Sequence, residues 1–213
     1  ERDNFNETME AIKKTKKKVL IIVAHPDDEI IWMGGTIIRN KDKWDTTVVC
    51  LTRKSDADRY PKFLKVMKEL GVKGHIDDLN DNHSNKPLNE KEVISTIQKY
   101  IQKNSYDMIF THGSNGEYGH IRHKEVHKAV LEALKKNILK AKEIFFFSYE
   151  KRLNDYQGYA TYNSSADKLI KLNPEELAMK RKLAIDIYGY DRGGKGFEEL
   201  SAGKIEAFDI YKK

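Results

Sequence analysis

The chain has 213 residues, 39% of them hydrophobic and 34% charged. That is enough for one sizeable core, short for two independent domains, and rich in hydrated surface. No apolar run approaches the ~20 residues that span a bilayer, and no secretory h-region opens the sequence. The expected location is cytoplasmic, although the chain begins at Glu1 rather than Met and so leaves a removed leader open.

The net charge of +6 raises the question of nucleic acid. Only Lys13-Lys14 and Lys16-Lys17-Lys18 are densely basic, no aromatics interleave with them, and 33 acidic residues balance the rest. These features argue against a nucleic-acid partner. The single cysteine, Cys50, excludes an intramolecular disulfide and reads as a small buried hydrophobe in the run 48–51.

The apolar run at 19–23 is continuous rather than alternating, as in a parallel strand covered on both faces. A helical period follows over 30–39, then a β-branched strand at 46–52 and a helix over 58–70 that Gly71 closes. Next come a short strand at 75–79, a polar loop at 80–87 and a helix from Asn89-Glu90 to about 103. A strand at 108–111 leads through the Gly-rich loop 113–116 to a helix over 121–136 and a strand at 144–148. An Asn- and Tyr-rich loop, a sixth strand at 169–172 and a helix from Pro174 to 187 complete the pattern.

This alternation, without repeats or a Pro/Gly linker, predicts one α/β domain over 1–213. The architecture expected is a Rossmann-like three-layer sandwich with a mostly parallel sheet. Such sheets bind ligands at the carboxyl ends of their strands, and two of those ends carry metal-ligand residue types.

The first is Ala24-His25-Pro26-Asp27-Asp28-Glu29. Unpaired carboxylates are expensive in a core, so the cluster calls for a use. Pro26 fixes its own φ and disfavours helix at His25, which turns the chain there. With a helix beginning near Pro26 or Asp27, His25 and Asp28 are three apart and converge, while Asp27 approaches from another side. Imidazole and carboxylate are good zinc ligands, and a second carboxylate suits a general base. A helix N-cap alone would need only one acidic residue. Glu29 suits the helix dipole or the support of a ligand. A dinucleotide fingerprint is excluded, because two carboxylates stand where the pyrophosphate would sit. Gly34-Gly35 comes too late to rescue it and suits close packing.

The second is Gly116-Glu117-Tyr118-Gly119-His120-Ile121-Arg122-His123. His120 and His123 repeat the three-residue spacing, and either can supply a third ligand to a site that keeps a position open for water. His123-Lys124-Glu125-Val126-His127 imitates a zinc-protease helix, but Glu125 stands two residues after the first His, roughly opposite the histidine face. His127 reads as a partly buried helix residue. His75, His83 and His112 read as ordinary residues, with His112 at a strand end where it can line the cleft.

Together, Ala24-His25-Pro26-Asp27-Asp28-Glu29 with Gly34-Gly35-Thr36, and Gly119-His120-x-x-His123, resemble the two motifs of the LmbE-like (PIG-L) family of zinc-dependent N-acetylglucosamine deacetylases. Leu51-Thr52, Arg59 and Leu70-Gly71-Val72 are similar to its middle region, and Glu206-Ala207-Phe208 to its tail. The resemblance covers about residues 19–130 and is weak beyond, with 150–213 as a variable C-terminal part. It implies that His25, Asp28 and His123 hold zinc, that Asp27 is the general base, and that His120 is the acid or electrophile. It places Arg59 in contact with substrate. Fe²⁺ or Co²⁺ suits the same ligand set.

Two departures stand out. Ile121 and Arg122 occupy positions where the family has Pro and often Asp, Asn or Gln. Arg122 disfavours a neighbouring imidazolium unless it faces solvent or pairs with Glu117 or another carboxylate. Arg53-Lys54-Ser55-Asp56 replaces a Gly-containing stretch. The partner expected is a small amino-sugar substrate, with Tyr118, Trp32, Tyr156, Tyr159 and Tyr162 as candidate walls. A homo-oligomer is compatible with the sequence. Hydrolysis of another small N-acyl amide, or a non-enzymatic carbohydrate or nucleic-acid module, are the competing readings.

Overall fold

The apolar run of β1 (Lys17–Val23) is fully buried from Val19 onward, because the strand lies at the middle of the sheet with helices on both faces. It pairs in parallel with β2 (Trp44–Thr52) and β4 (Tyr106–Thr111), Val19 standing beside Thr46 and Met108. β3 (Lys73–Leu79) extends the sheet beyond β2, and β5 (Ala141–Phe147) extends it beyond β4, both parallel. The computed structural model describes residues 16–81, 86–101, 105–152, 158–191 and 193–212. His83, Tyr156 and the basic pair Lys13-Lys14 lie outside the described residues, and the helix expected to run to about 103 ends earlier, at Gln98.

Alternate side chains of β1 feed two cores. Val19, Ile21 and Val23 pack with α1 (Asp28–Asn40) and α2 (Arg59–Leu70). Leu20 and Ile22 pack with α3 (Glu90–Gln98) and with a later helix at Ile121–Lys135. The expected three-layer sandwich with a mostly parallel sheet is therefore what the chain forms. Gly71 closes α2 at φ 68°, a left-handed conformation that suits glycine.

The C-terminal third departs from the expected pattern. Within the Asn- and Tyr-rich loop, β6 (Tyr149–Arg152) and β7 (Tyr159–Tyr162) form a separate hairpin. The sixth expected strand is β8 (Lys168–Lys171), at the sheet edge, where a lysine at each end guards the open backbone. It pairs antiparallel with β9 (Ile205–Ile210), which sits antiparallel to β5 and which the apolar pattern did not reveal. The sheet order is β3-β2-β1-β4-β5-β9-β8. The long C-terminal helix begins, as expected, at Pro174 with an Asn173/Glu176 capping box, but becomes a π turn at Leu183–Ile187.

β9 also shapes α1. Met33 breaks that helix with φ −148° and ψ 17°. Glu206 caps the new start by accepting the amides of Gly35 and Thr36 at 2.8 and 2.7 Å and the Thr36 hydroxyl at 2.6 Å. Lys180 neutralises Glu206 at 2.8 Å in a wholly buried pair. A methyl at Gly35 would lie 2.3 Å from the Leu172 methyls, so this glycine does permit the close packing expected of it. The turn Asp28–Trp32 is thereby fixed as a unit ahead of the break.

Candidate metal centre

The chain order makes β1 and β4 neighbours at the point where the sheet's winding reverses, the usual place for a ligand crevice. His25 leaves the end of β1, and its amide donates to Asp28 Oδ2 at 2.8 Å, closing the turn that Pro26 imposes. Asp27 sits at φ 122°, which costs an L residue on the order of 1–3 kcal/mol. Its carbonyl accepts the amides of Ile30 and Ile31 at 2.9 Å, and its own amide donates to Glu29 Oε2 at 3.1 Å. That backbone sends the carboxylates of Asp27 and Asp28 to different partners.

Asp28 turns toward the histidines. His25 Nδ1 lies 3.3 Å from Asp28 Oδ2, His123 Nε2 lies 3.4 Å from Asp28 Oδ1, and the two nitrogens are 3.2 Å apart. Four ligands at about 2.1 Å around a tetrahedral ion are about 3.4 Å from one another, so these spacings are compatible with a ligand set. The donors also face inward with lone pairs. His123 Nδ1 is hydrogen-bonded to Glu117 Oε2, which leaves Nε2 unprotonated, and His25 Nε2 lies 3.3 Å from Asp81 Oδ1, which favours a proton there and a lone pair on Nδ1. Trp32 donates its indole N–H to Asp28 Oδ1 at 2.9 Å. Among the described residues, two groups of three have donor atoms within 4.8 Å of one another, His25 with His120 and His123, and Asp28 with His112 and His123. His123 belongs to both.

His112 is engaged elsewhere. Its Nε2 accepts the Ala24 amide at 2.9 Å and its Nδ1 lies 3.0 Å from Glu117 Oε2. Burial opposes its charging, while Glu117 and Asp28 raise it to about 9. The Ala24 amide nevertheless needs an unprotonated Nε2, so the geometry holds the ring neutral. It lies behind the site rather than in the cleft wall.

Electrostatics follow from this packing. Burial pushes the His25 imidazolium down, but hydrogen bonds and charge from Asp28 and Asp81 outweigh it and raise it to about 10, so the lone pair on Nδ1 belongs to the neutral ring and an ion bound there would displace a proton. Burial pushes Glu117 up, yet His112 and His123 hold it at about 2. Burial raises Asp28 too, and is overcome by His123 and His112, which hold it well below the carboxylate range.

Asp27 faces the other way. Its Oδ2 accepts Arg59 Nη1 at 3.0 Å and the Tyr190 hydroxyl, and the Arg59 guanidinium also touches that hydroxyl. Burial and Asp28 raise the Asp27 carboxyl well above its ordinary value, with Arg59 opposing. His120 caps the helix α5 (Ile121–Lys135), which follows the short α4 (Gly116–Gly119), and its Nδ1 accepts the Arg122 amide at 3.2 Å. The proton of a neutral His120 is therefore on Nε2. Burial, His123 and His25 lower its pKa to about 3. Its ring stacks on His123 at 4.6 Å and meets His25 edge-on at 4.7 Å.

A cleft of about 530 Å³ opens over these groups, lined by His25, Asp27, Asp28, Arg59, Tyr118 and His120 among others. Arg122 is buried and turned to Glu125 Oε2 at 2.7 Å and the Lys86 carbonyl at 3.0 Å. It pairs with a carboxylate, as one of the alternatives required, and that carboxylate is Glu125 rather than Glu117. Trp32 is buried and serves Asp28 while bordering the cleft, whereas Tyr159 and Tyr162 belong to the β6–β7 hairpin and do not line it. His127 is buried with Nδ1 on the His112 carbonyl at 2.9 Å, and His75 stacks on Tyr100.

Four residues about the site went unread as site residues. Glu117 was visible in the second motif but carries no ligand spacing. It works by joining His112, His123 and the Gly113 amide. Asp81 follows the third strand's carboxyl end, a position that could have marked it. Tyr190 and Tyr188, which donates to Glu29 Oε1 at 2.6 Å, come from the C-terminal segment, where no local pattern points back to the motif.

The profile of the family described as PIG-L: GlcNAc-PI de-N-acetylase matches residues 20–134. The uncharacterized protein L374 of Acanthamoeba polyphaga mimivirus is 28% identical, over 80% of this chain and 81% of that protein. The N,N'-diacetylchitobiose deacetylase of Pyrococcus horikoshii superposes with a TM-score of 0.67 at 18% identity, covering 99% of this chain and 92% of that one. GalB, the 4-carboxy-2-hydroxymuconate hydratase of Pseudomonas putida KT2440, does so with 0.61 at 13% identity, covering 92% and 97%. At such identities these two share the fold with this chain, and the fold alone carries more than one reaction.

Proposed function

The chain belongs to the PIG-L family, and on that premise we propose that it is a metal-dependent hydrolase that removes the acetyl group from an N-acetylated amino sugar or its conjugate. The observation that carries the reading is the inward meeting of His25 Nδ1, His123 Nε2 and the Asp28 carboxylate at 3.2–3.4 Å. With His25 neutral, two lone pairs and a carboxylate held that close in a buried pocket repel one another unless a cation sits among them, and a metal ion or a proton on His25 Nδ1 can fill that place. The donor set suits Zn²⁺, and Fe²⁺ or Co²⁺ as well.

When bound, the ion supplies Lewis acidity, lowering the pKa of water toward ~7 and polarising the amide carbonyl. Asp27 takes the proton of the attacking water. Arg59 and Tyr190 hold its Oδ2 and leave Oδ1 without a partner among the described residues. Burial makes this carboxylate a stronger base than a free one. His120, neutral and protonated on Nε2, donates to the carbonyl oxygen as negative charge develops there. Asp27, now carrying the proton, returns it to the departing amine. Arg59 and Tyr118 contact the substrate from the cleft wall.

Metal content and acetate release on a panel of N-acetylglucosamine conjugates and unrelated N-acyl amides test the reading. Stoichiometric metal with turnover confined to amino sugars is expected. Turnover of other amides alone would replace the substrate class, and a metal-loaded protein that hydrolyses nothing would remove the activity.

A further inference from the structure

Phe197 and Glu198 line the same cleft from outside the segment that the family profile matches. They open a short helix (Phe197–Ser201), which follows Gly193 and Gly194, both at positive φ. The Phe197 ring meets Tyr118 at 4.5 Å, and Tyr118 meets Trp32 at 6.2 Å, so three aromatic rings run along one side of the cleft. Glu198 is half-buried, and its carboxylate has no hydrogen-bond or ion-pair partner among the described residues. Its charge reaches Asp27 and Tyr118, raising both.

An ionised carboxylate on a cleft wall keeps its water until a ligand replaces those hydrogen bonds. Arg53, Arg59 and Arg122 also line the cleft, and each is paired with a carboxylate, Asp81, Asp27 and Glu125 respectively, so the Glu198 carboxylate is left without such a partner on the wall that a neutral hydroxylated ring would meet. Hydroxyls donate well to a carboxylate, and the C–H faces of a ring pack against aromatic side chains. We infer that Phe197 and Glu198 form a specificity subsite in which the Glu198 carboxylate accepts hydrogen bonds from the hydroxyls of a sugar ring seated against Phe197 and Tyr118. The inference deepens the amino-sugar reading above and rests on it.

The test measures binding rather than turnover, by calorimetry on the zinc-loaded full chain carrying Asp27→Asn. Two probes are used, the methyl β-glycoside of N-acetylglucosamine and N-cyclohexylacetamide, an acetamide on a ring without hydroxyls. Glu198→Ala should weaken the glycoside about tenfold and Glu198→Gln less, since an amide oxygen still accepts, with N-cyclohexylacetamide changed by less than about twofold in both. Phe197→Ala should weaken both probes. Unchanged glycoside affinity in Glu198→Ala, or equal losses for the two probes, overturns the inference. The near-isosteric Glu198→Gln keeps the test valid should the alanine variant fail to fold. Acetate release by the unmutated protein is read in parallel. No release with a selective loss of binding removes the proposed activity and keeps the subsite, whereas release with unaltered binding does the reverse.

Discussion

Trp32 and Asp28, four residues apart on the first turn of α1, are joined by a 2.9 Å hydrogen bond from the indole Nε1 to Oδ1. The contact gives one of the largest fully buried side chains a second task, since the ring that fills the core also aims the carboxylate. Trp32→Phe keeps most of the packing and removes the donor. It should lower metal affinity on the order of tenfold and stability by about 1–2 kcal/mol, read by competition with a chromogenic chelator and by urea denaturation. Unaltered metal affinity would reduce Trp32 to packing alone.

Glu117 holds His112, His123 and the Gly113 amide at once, and does so from a strained backbone at φ 59°. Glu117→Gln cannot accept from all three, because one of its two oxygens becomes an N–H₂ donor. A 10–100-fold loss of metal affinity is expected, the size found when the partner of a ligating histidine is removed. Isothermal titration with Zn²⁺ checks it.

Asp27 is separated from the inward-facing donors by its own backbone conformation and is tied to Arg59 and Tyr190. Asp27→Asn should therefore retain the metal and lose at least about 10²-fold in turnover. Tyr190→Phe should act through Asp27. A displaced pH–rate profile with an unaltered metal content is the outcome expected, and a loss of metal would place Tyr190 in the wrong role.

Lys180 and Glu206 form an ion pair with neither side chain exposed, at the point where α1 restarts after Met33. Removing one charge leaves the other buried and unmatched, at a cost of about 3–5 kcal/mol. Lys180→Met belongs at the lower end, because three donors from Gly35 and Thr36 still stabilise Glu206. Urea denaturation measures it, and Lys180→Met combined with Glu206→Gln should recover part of the loss.

Arg39 grips Glu176 through Nε at 2.7 Å and Nη2 at 2.5 Å, and this pairing holds the carboxyl below its ordinary 4.5. A depressed folded-state pKa contributes stability that is present above 4.5 and is lost as pH falls through the lowered value. Glu176→Gln should flatten that part of the acid limb of a denaturation series. The effect near neutrality should stay under about 1 kcal/mol, because Arg39 is about one-third exposed. An identical acid limb in both proteins would assign it to other carboxylates.

Much of this molecule was legible one segment at a time. The continuous apolar runs at β1 and β2 and the apolar helix faces are local signals, since burial on both faces or on one stripe leaves its period in the sequence. They set the α/β class and the parallel half of the sheet. His25-Pro26-Asp27-Asp28 was legible for the same reason, because a proline turn at a strand end brings close neighbours together. β6, β7 and β9 were not, being short strands whose pairing partners stand far away in the chain. Tyr190 reaches Asp27, and Glu198 reaches the cleft, only because the chain folds back, and spacing along the sequence carries no trace of that approach. The sequence by itself determined which residue types can hold a metal ion and the strand ends that bear them. Tertiary structure alone decided the direction of each lone pair, because the hydrogen bonds that fix a tautomer or turn a carboxylate come from groups up to 163 residues away.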